Sequence, residues 1–460
     1  MVKSAPDETG ILIEEVVNFT KNLSFVDIPK DVIQHAKLVL LDTIGLLLAA
    51  CHPKYSAGRI LTEFVRNLGG VEESTIIGQG FKSSCVNAAL YNGTLGYYCD
   101  IDAYHAGALM HAPATIVPAC LAVGERQEVH GKDFLIAMIL GIDFACRISL
   151  ALNPRSLTER GFHPTSVAGS FASALASGRL LNLDSKELSI ALGLAGNQTS
   201  GLRAWKQDFS ENSRPFNAGI AARNGVTAAL LAKLDFGGPH DIFEGIYDIF
   251  RAYSKADECD PGQLTHKLGT KFLIMEHAFK LYACCAYLHP GLDALLNLMR
   301  QHHLTIENIH KIVMHFPESG VEMIDGTQLR SHSAQYTFSV AALNGKVMID
   351  DILYDLQSEP EIHRLVRNIE VVPNKTLDSN FPSQFSSIVE VTTTHGNEIS
   401  TRVDFAKGTP QNPASHEEIE KKFIDLSGEV IQKEKQNQIL GLVNDIDNVK
   451  DIGWLCSLLE

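Results

Sequence analysis

Three basic side chains in this sequence stand directly before proline-led helical patterns: His111 before Ala112 and Pro113, His163 before Pro164, and Arg214 before Pro215. Proline is favoured in the first turn of a helix, where its missing N–H is not needed, so each motif places a basic group at a helix start. Helix starts offer free backbone N–H groups and the positive end of the dipole, both of which attract anions. The same dipole disfavours imidazolium and keeps a histidine neutral, able to accept a proton. If the three starts converge, they form an anion pocket that contains potential bases. Singly, a histidine before a helix is more often only a cap, and a lone arginine a surface charge. Three in one helical region favour a shared site.

The segment NGTLGYYCDIDAYHAGALMHAPA brings Asp100, Asp102, His105 and His111 close together. A carboxylate can orient an imidazole and fix its tautomer, as general acid–base chemistry requires. Asp and His also ligate metals, but no HExxH, facial-triad signature or cysteine pair with ligand spacing accompanies them, so no metal is expected. Asp102 in particular is open to the plainer role of a carboxylate satisfied by neighbouring N–H groups. Lys280, in HAFKLYACCAYLHPG, sits in an apolar, aromatic setting that suits it to bind a carboxylate; the alternative is a snorkelling surface lysine. Tyr336, in SHSAQYTFSVAALNG, begins an apolar helix and could donate a phenolic proton, although most tyrosines so placed are simply packed. Cys284 and Cys285 read as small buried hydrophobes rather than nucleophiles. Neither GxGxxG, a Walker lysine motif nor GxSxG is present, so no nucleotide or serine-hydrolase chemistry is suggested and no cofactor is expected.

The elements that must position these groups follow from pattern and length. At 460 residues the chain exceeds the usual single core, so two domains are expected. From about residue 10 to about 260 it reads as consecutive helices, among them 31–50, 112–125, 131–152 and 186–196. Ala168, Ala172 and Ala176 make one helix face low enough for close helix–helix contact. After about residue 300 the pattern changes. Residues 310–316 read as a strand, and 387–394 with 398–405 as a hairpin across His395, Gly396 and Asn397. Helical periodicity returns over 417–434 and 436–459. The fold class is therefore mostly α with an α+β lid. Residues 1–267 and 406–460 form a multihelical domain from both chain ends, and 268–405 a smaller α+β insert.

A net charge of -15 argues against nucleic acid, which needs a basic surface, and makes any local cluster of cations more informative. The start, MVKSAPDETG, carries no secretory pattern. The apolar stretch 38–51 is interrupted by Asp42 and Thr43 and is too short to span a bilayer, so no membrane partner is expected. Nine cysteines without a regular framework point to reduced thiols and a cytoplasmic location.

Taken together, LVLLDTIGLLLAA, the Asp100–His111 segment, GFHPTSVAGSFASALASGRLL, LGLAGNQTSG, RPFNAGIAARNG and KLYACC resemble the MmgE/PrpD family over nearly the whole chain. The family comprises dehydratases, decarboxylases and epimerases of small polycarboxylic acids. The resemblance implies a helical domain with a lid, a homodimer, and an active site between the two domains. By motif it puts the family's pocket residues on Asp100, His111, His163, Lys280 and Tyr336. Where decarboxylase-type members have a second lysine, this sequence has Arg214. Arginine can clamp a carboxylate bidentately but stays charged, so it transfers protons poorly. The KLYACC run is closer to the fungal decarboxylases and some epimerase-like members than to the dehydratases.

The expected chemistry is a cofactor-independent lyase acting on a small di- or tricarboxylic acid by proton transfer next to a carboxylate. His163 would serve as base or acid, and His111 as its counterpart oriented by Asp100. Lys280, Arg214 and His105 would hold substrate, and Tyr336 would supply a proton. The alternatives are an epimerase of a dicarboxylate such as iminodisuccinate, and a catalytically silent carboxylate-binding homologue.

Overall fold

The computed structural model describes residues 10–255, 257–354, 356 and 358–460. Its first half is a stack of helices with little polar surface between them. Ala112–Arg126, Gly131–Ala151 and Pro164–Leu180 are buried along almost their whole length. Small residues make this possible. A β-carbon on Gly219, in the helix Ser213–Lys233, would lie 2.4 Å from the Leu90 carbonyl oxygen; one on Gly225 would lie 2.5 Å from the Ala174 nitrogen. Only glycine permits that backbone approach. It locks the helix carrying Arg214 against Cys85–Leu95 on one side and Pro164–Leu180 on the other.

The helices Lys30–Ala50 and Gly131–Ala151 are long and apolar enough to cross a membrane by length and composition, so the first exceeds the apolar run read from the sequence. Both are core helices here, with 83% and 94% of their most apolar windows buried inside the protein.

The later part of the chain carries a four-stranded sheet in the order Ile369–Pro373, Ile309–Phe316, Ser387–Thr393, Glu398–Val403. The last two strands form the anticipated hairpin, with Val389 opposite Thr401. Ile369–Pro373 pairs parallel to Ile309–Phe316, with Val371 opposite Met314. This strand was not read from the sequence, because IEVVP is short and its partner lies far upstream. Ile312, Met314, Phe316, Val389 and Val391 line the buried face, which packs on His289–Gln301 and Ala334–Asn344.

At the C-terminal end the helical spans break differently from expectation. One helix runs His416–Ser427 and stops at Gly428; Lys433–Asn444 and Gly453–Leu458 follow. The Gln436 side-chain amide donates to the Ile424 carbonyl and the Ser427 hydroxyl, satisfying the first helix's end. Lys422 ties that helix back to the first half of the chain. Its ammonium contacts Asp42 at 2.5 Å and donates to the Ile101 carbonyl at 2.7 Å, just beyond Asp100.

Candidate active site

The helix Cys85–Leu95 is followed by a tight turn in which Cys99 and Asp100 both take left-handed backbone conformations, φ 54° and 55°. Aspartate tolerates this region better than most residues, and such conformations concentrate at functional sites. The turn sends the buried Asp100 carboxylate towards two buried cations. Its Oδ1 accepts from Arg214 Nη2 at 3.0 Å and from the Lys280 ammonium. Lys280 Nζ is also 3.8 Å from Asp102 Oδ1. Burial by itself would raise the Asp100 carboxyl, but Arg214, Lys280 and the facing histidines hold it well below the usual carboxylate range.

Around this ionic centre stand three histidines. His111 and His163 immediately precede the helices Ala112–Arg126 and Pro164–Leu180, as the proline pattern required. His111 Nδ1 lies 2.8 Å from Asp102 Oδ2, and its Nε2 is 3.5 Å from Arg214 Nη2. His163 Nε2 is 3.3 Å from the Tyr97 hydroxyl, while its Nδ1 is buried without a hydrogen-bond partner. The third is His332. Burial, reinforced by Arg214, pushes His332 down to about 3 and His163 well below the ordinary histidine value; burial also lowers His111, against the pull of Asp102. All three rings are neutral at pH 7. Tyr97 and Trp205 sandwich the Arg214 guanidinium, whose carbon is 4.2 and 5.2 Å from the two ring centres, a cation–π arrangement that fixes it. These groups wall a cavity of about 490 Å³, a size suited to a small acid. A larger open cleft of about 960 Å³ runs beside His289–Gln301 but gathers no such cluster of buried ionic groups.

Asp100, His111, His163 and Arg214 are thus brought together on the cavity wall, and Lys280 joins them from behind. Three assignments, those of the partner of His111, of Lys280 and of Tyr336, need correction. His111 is oriented by Asp102 rather than Asp100, because Asp100 is committed to the two cations. Lys280 is completely buried with its ammonium held by Asp100, so it supports that carboxylate rather than gripping substrate. His105 reaches the wall, where its Nδ1 accepts from the Ala108 N–H at 3.1 Å and its Nε2 lies 3.3 Å from Glu276. Tyr336 is outside the cavity: its hydroxyl donates to the Asp351 carbonyl at 2.5 Å, because its helix turns that ring towards the following segment.

The tyrosine beside His163 is Tyr97, visible in the sequence only as part of the GYYCD run; Tyr104 and Tyr287 also line the cavity. His332 was also missed. It stands just before the helix Ala334–Asn344, as His111 and His163 stand before theirs, but Ser333 rather than proline marks the start.

Two donor sets, Asp100 with Asp102 and His111, and Asp100 with Cys285 and His332, are close enough to share an ion. They fit a resident metal poorly. Asp100 already faces two fixed cations, and a divalent ion would have to sit against both.

Neutral burial of histidines has a consequence for stability. Burial also lowers His35 to about 4, His289 to about 3, and His277 well below its ordinary value. Below about pH 6.5 these side chains gain protons in the unfolded chain but not in the folded one, so stability present above that pH is lost on acidification, at about 1.4 kcal/mol per group per pH unit. Glu211, raised by burial to about 7, works in the opposite direction. The histidines outnumber it, and the thermal unfolding midpoint should fall by about 5–10 °C between pH 6.5 and 5.5. A midpoint flat across that interval would contradict neutral burial.

Two family models match the chain. The MmgE/PrpD N-terminal domain covers residues 14–261 and the MmgE/PrpD C-terminal domain residues 282–448. A cis-aconitate decarboxylase of Aspergillus terreus is 26% identical over 492 aligned positions, spanning 100% of this chain and 98% of that protein. The cis-aconitate decarboxylase-like protein oryM of Aspergillus oryzae is 26% identical over 481 positions, spanning 98% of each. Human cis-aconitate decarboxylase is 24% identical over 455 positions, spanning 93% of this chain and 90% of that protein.

Proposed function

Because the chain belongs to the MmgE/PrpD family, we propose that it is a metal- and cofactor-free lyase that moves a proton next to a carboxylate on a small di- or tricarboxylic acid. The observation that carries this reading is the balance of charge in the cavity. Two buried cations share one carboxylate, Asp100, and the neutral rings of His111, His163 and His332 stand beside them. Asp102 offsets the second of those cations, so it is the guanidinium groups of Arg214 and Arg203 on the wall that attract a polyanion, and an unprotonated imidazole is the form that can take a proton from carbon.

Arg214 is the clamp for a substrate carboxylate and offsets the negative charge that develops on the enolate-like intermediate. His163 is the acid–base group, with Tyr97 beside it. Departure of hydroxide makes the reaction a dehydration. Departure of carbon dioxide leaves an electron pair that a returning proton must quench, making it a decarboxylation. The names of the fungal and human relatives favour the second, and favour a tricarboxylate such as cis-aconitate. We place the enzyme in the cytoplasm as a homodimer, a setting suited to nine cysteines scattered without a regular disulfide framework.

One observation supports an epimerase as the second reading. Trp205 contacts His163 and His332, with ring centres 5.8 and 5.4 Å away, so two proton carriers flank one wall element. Proton NMR in heavy water, with a panel of tri- and dicarboxylic acids and excess chelator present, separates the possibilities. A new alkene resonance with loss of a substrate signal is expected. Deuterium uptake with inversion would mark the epimerase, line broadening without turnover a silent binder, and inhibition reversed by added metal a metalloenzyme.

A further inference from the structure

One buried titratable group has no part in the chemistry described so far. Glu211 lies in the loop before the helix Ser213–Lys233, buried, with a left-handed backbone at φ 61°. Its carboxylate reaches across to the other half of the chain. Oε1 accepts from the Ser331 N–H at 3.0 Å and Oε2 from the Ser331 hydroxyl at 2.8 Å. The same hydroxyl is 2.8 Å from His332 Nδ1, and His332 Nε2 lies 3.7 Å from Asp100 Oδ2, on the cavity wall. The Ser331 carbonyl accepts from Cys285 N–H and the His332 N–H donates to Leu329, so the connecting residues are pinned by their backbone as well.

Glu211, Ser331 and His332 therefore form an unbroken hydrogen-bonded chain from a buried carboxyl to the cavity. The direction of every bond in it depends on one proton. With Glu211 ionised, the Ser331 hydroxyl donates to it, His332 Nδ1–H donates to Ser331, and Nε2 is a bare acceptor. With Glu211 protonated, its O–H donates to Ser331, Ser331 donates to Nδ1, and Nε2 carries the hydrogen. Asp100 at 3.7 Å is too far to fix the tautomer by a hydrogen bond.

We infer that Glu211 is a positioning residue that sets the tautomer of His332 through Ser331, making His332 a second proton carrier whose proton is stored on Glu211. The inference rests on the proton-transfer reading above. When Nε2 takes a proton from the cavity, the Nδ1 proton passes to Ser331 Oγ and the Ser331 proton to Glu211. One proton enters, one arrives at the carboxylate, and the imidazole is neutral before and after. The reverse sequence delivers it. The need for a remote store follows from the surroundings: Arg214 and Lys280 stand near His332 and oppose an imidazolium there. Glu211 itself faces Ser331, with Arg214 and Asp100 as the charged groups near it and the uncharged Cys99 and Tyr98 also in its neighbourhood. Burial raises its carboxyl to about 7, against the Ser331 bonds, so both protonation states are populated near neutrality.

The test begins on the unmodified full chain without substrate. ¹⁵N-imidazole NMR on protein labelled at histidine, with His332→Gln identifying the signal, should show His332 passing from Nδ1–H to Nε2–H as pH falls from 8.5 to 6, neutral throughout. A tautomer constant over that range, or an imidazolium, overturns the inference. In Glu211→Gln the amide imitates the protonated acid, so Nε2–H should persist at every pH. With the acid found by the heavy-water panel, kcat should fall at least tenfold while KM stays within about twofold. Ser331→Ala, which breaks the chain but leaves Glu211 in place, should lower kcat similarly. If an acid is turned over and both variants keep kcat within twofold, the relay is wrong and the proposed function stands. If no acid is turned over, the proposed function fails while the tautomer measurement still decides the relay.

Discussion

Replacing His163 with alanine is expected to lower turnover about 10²–10⁴-fold, the range that a positioned acid–base group supplies, while the protein keeps its fold. Turnover and fold depend on different parts of this residue. His163 precedes the helix Pro164–Leu180 without capping it through its side chain; the backbone does the work, with His163 N–H donating to Gly201 and its carbonyl accepting from Ser166 and Val167. Removing the imidazole leaves those bonds intact and enlarges a cavity that already exists. What disappears is the neutral ring beside Tyr97 and Arg214, with its buried Nδ1 that makes no hydrogen bond. Steady-state kinetics and deuterium incorporation into substrate, beside a circular dichroism spectrum matching the parent, would check it. Turnover within threefold of the parent would remove His163 from the mechanism.

Asp100→Asn should be the most destabilising conservative change in the site. Asparagine keeps the shape and tolerates the left-handed backbone, so strain is not the cause. The loss is electrostatic: Arg214 and Lys280, both buried, would face each other without their shared anion. Breaking a buried ion pair on one side costs about 3–5 kcal/mol. Urea denaturation should report a loss of that order. Adding Lys280→Met to Asp100→Asn should restore part of it, because the uncompensated ammonium is then gone. A single variant within about 1 kcal/mol of the parent, or a double variant no more stable than the single, would mean that the ionic centre is not what holds this turn.

The site was legible where its geometry is local. His111, His163 and Arg214 each announce themselves by a proline one or two residues on, and helix starts are decided within a few residues of sequence. Legibility stops where direction depends on tertiary packing. The apolar surroundings of Lys280 allowed burial or a snorkelling surface lysine, and gave no sign that Asp100, far away in sequence, would claim its charge. Tyr336 begins a helix as expected, yet the helix's rotation against the segment through Asp351 and Tyr354 decides where a hydroxyl goes, and no local pattern encodes that. Glu211 and Ser331 come from different halves of the chain and meet through one loop contact. The fold follows the same division. The hairpin Ser387–Thr393 with Glu398–Val403 has its turn in sequence, whereas Ile369–Pro373 joins the sheet by parallel pairing to a strand with no adjacent signal.

The glycine contacts at Gly219 and Gly225 make the scaffold around the cavity rigid. Helices that meet backbone to backbone have no side-chain cushion to compress, so they can neither slide nor part to admit a longer acid. The distance from the Arg214 anchor to His163 is then a constant of the scaffold, like the jaw of a fixed gauge. Discrimination between acids of different length falls to the side of the cavity outside those glycine contacts, the short turn Arg203–Gln207 and the segment leading to His332.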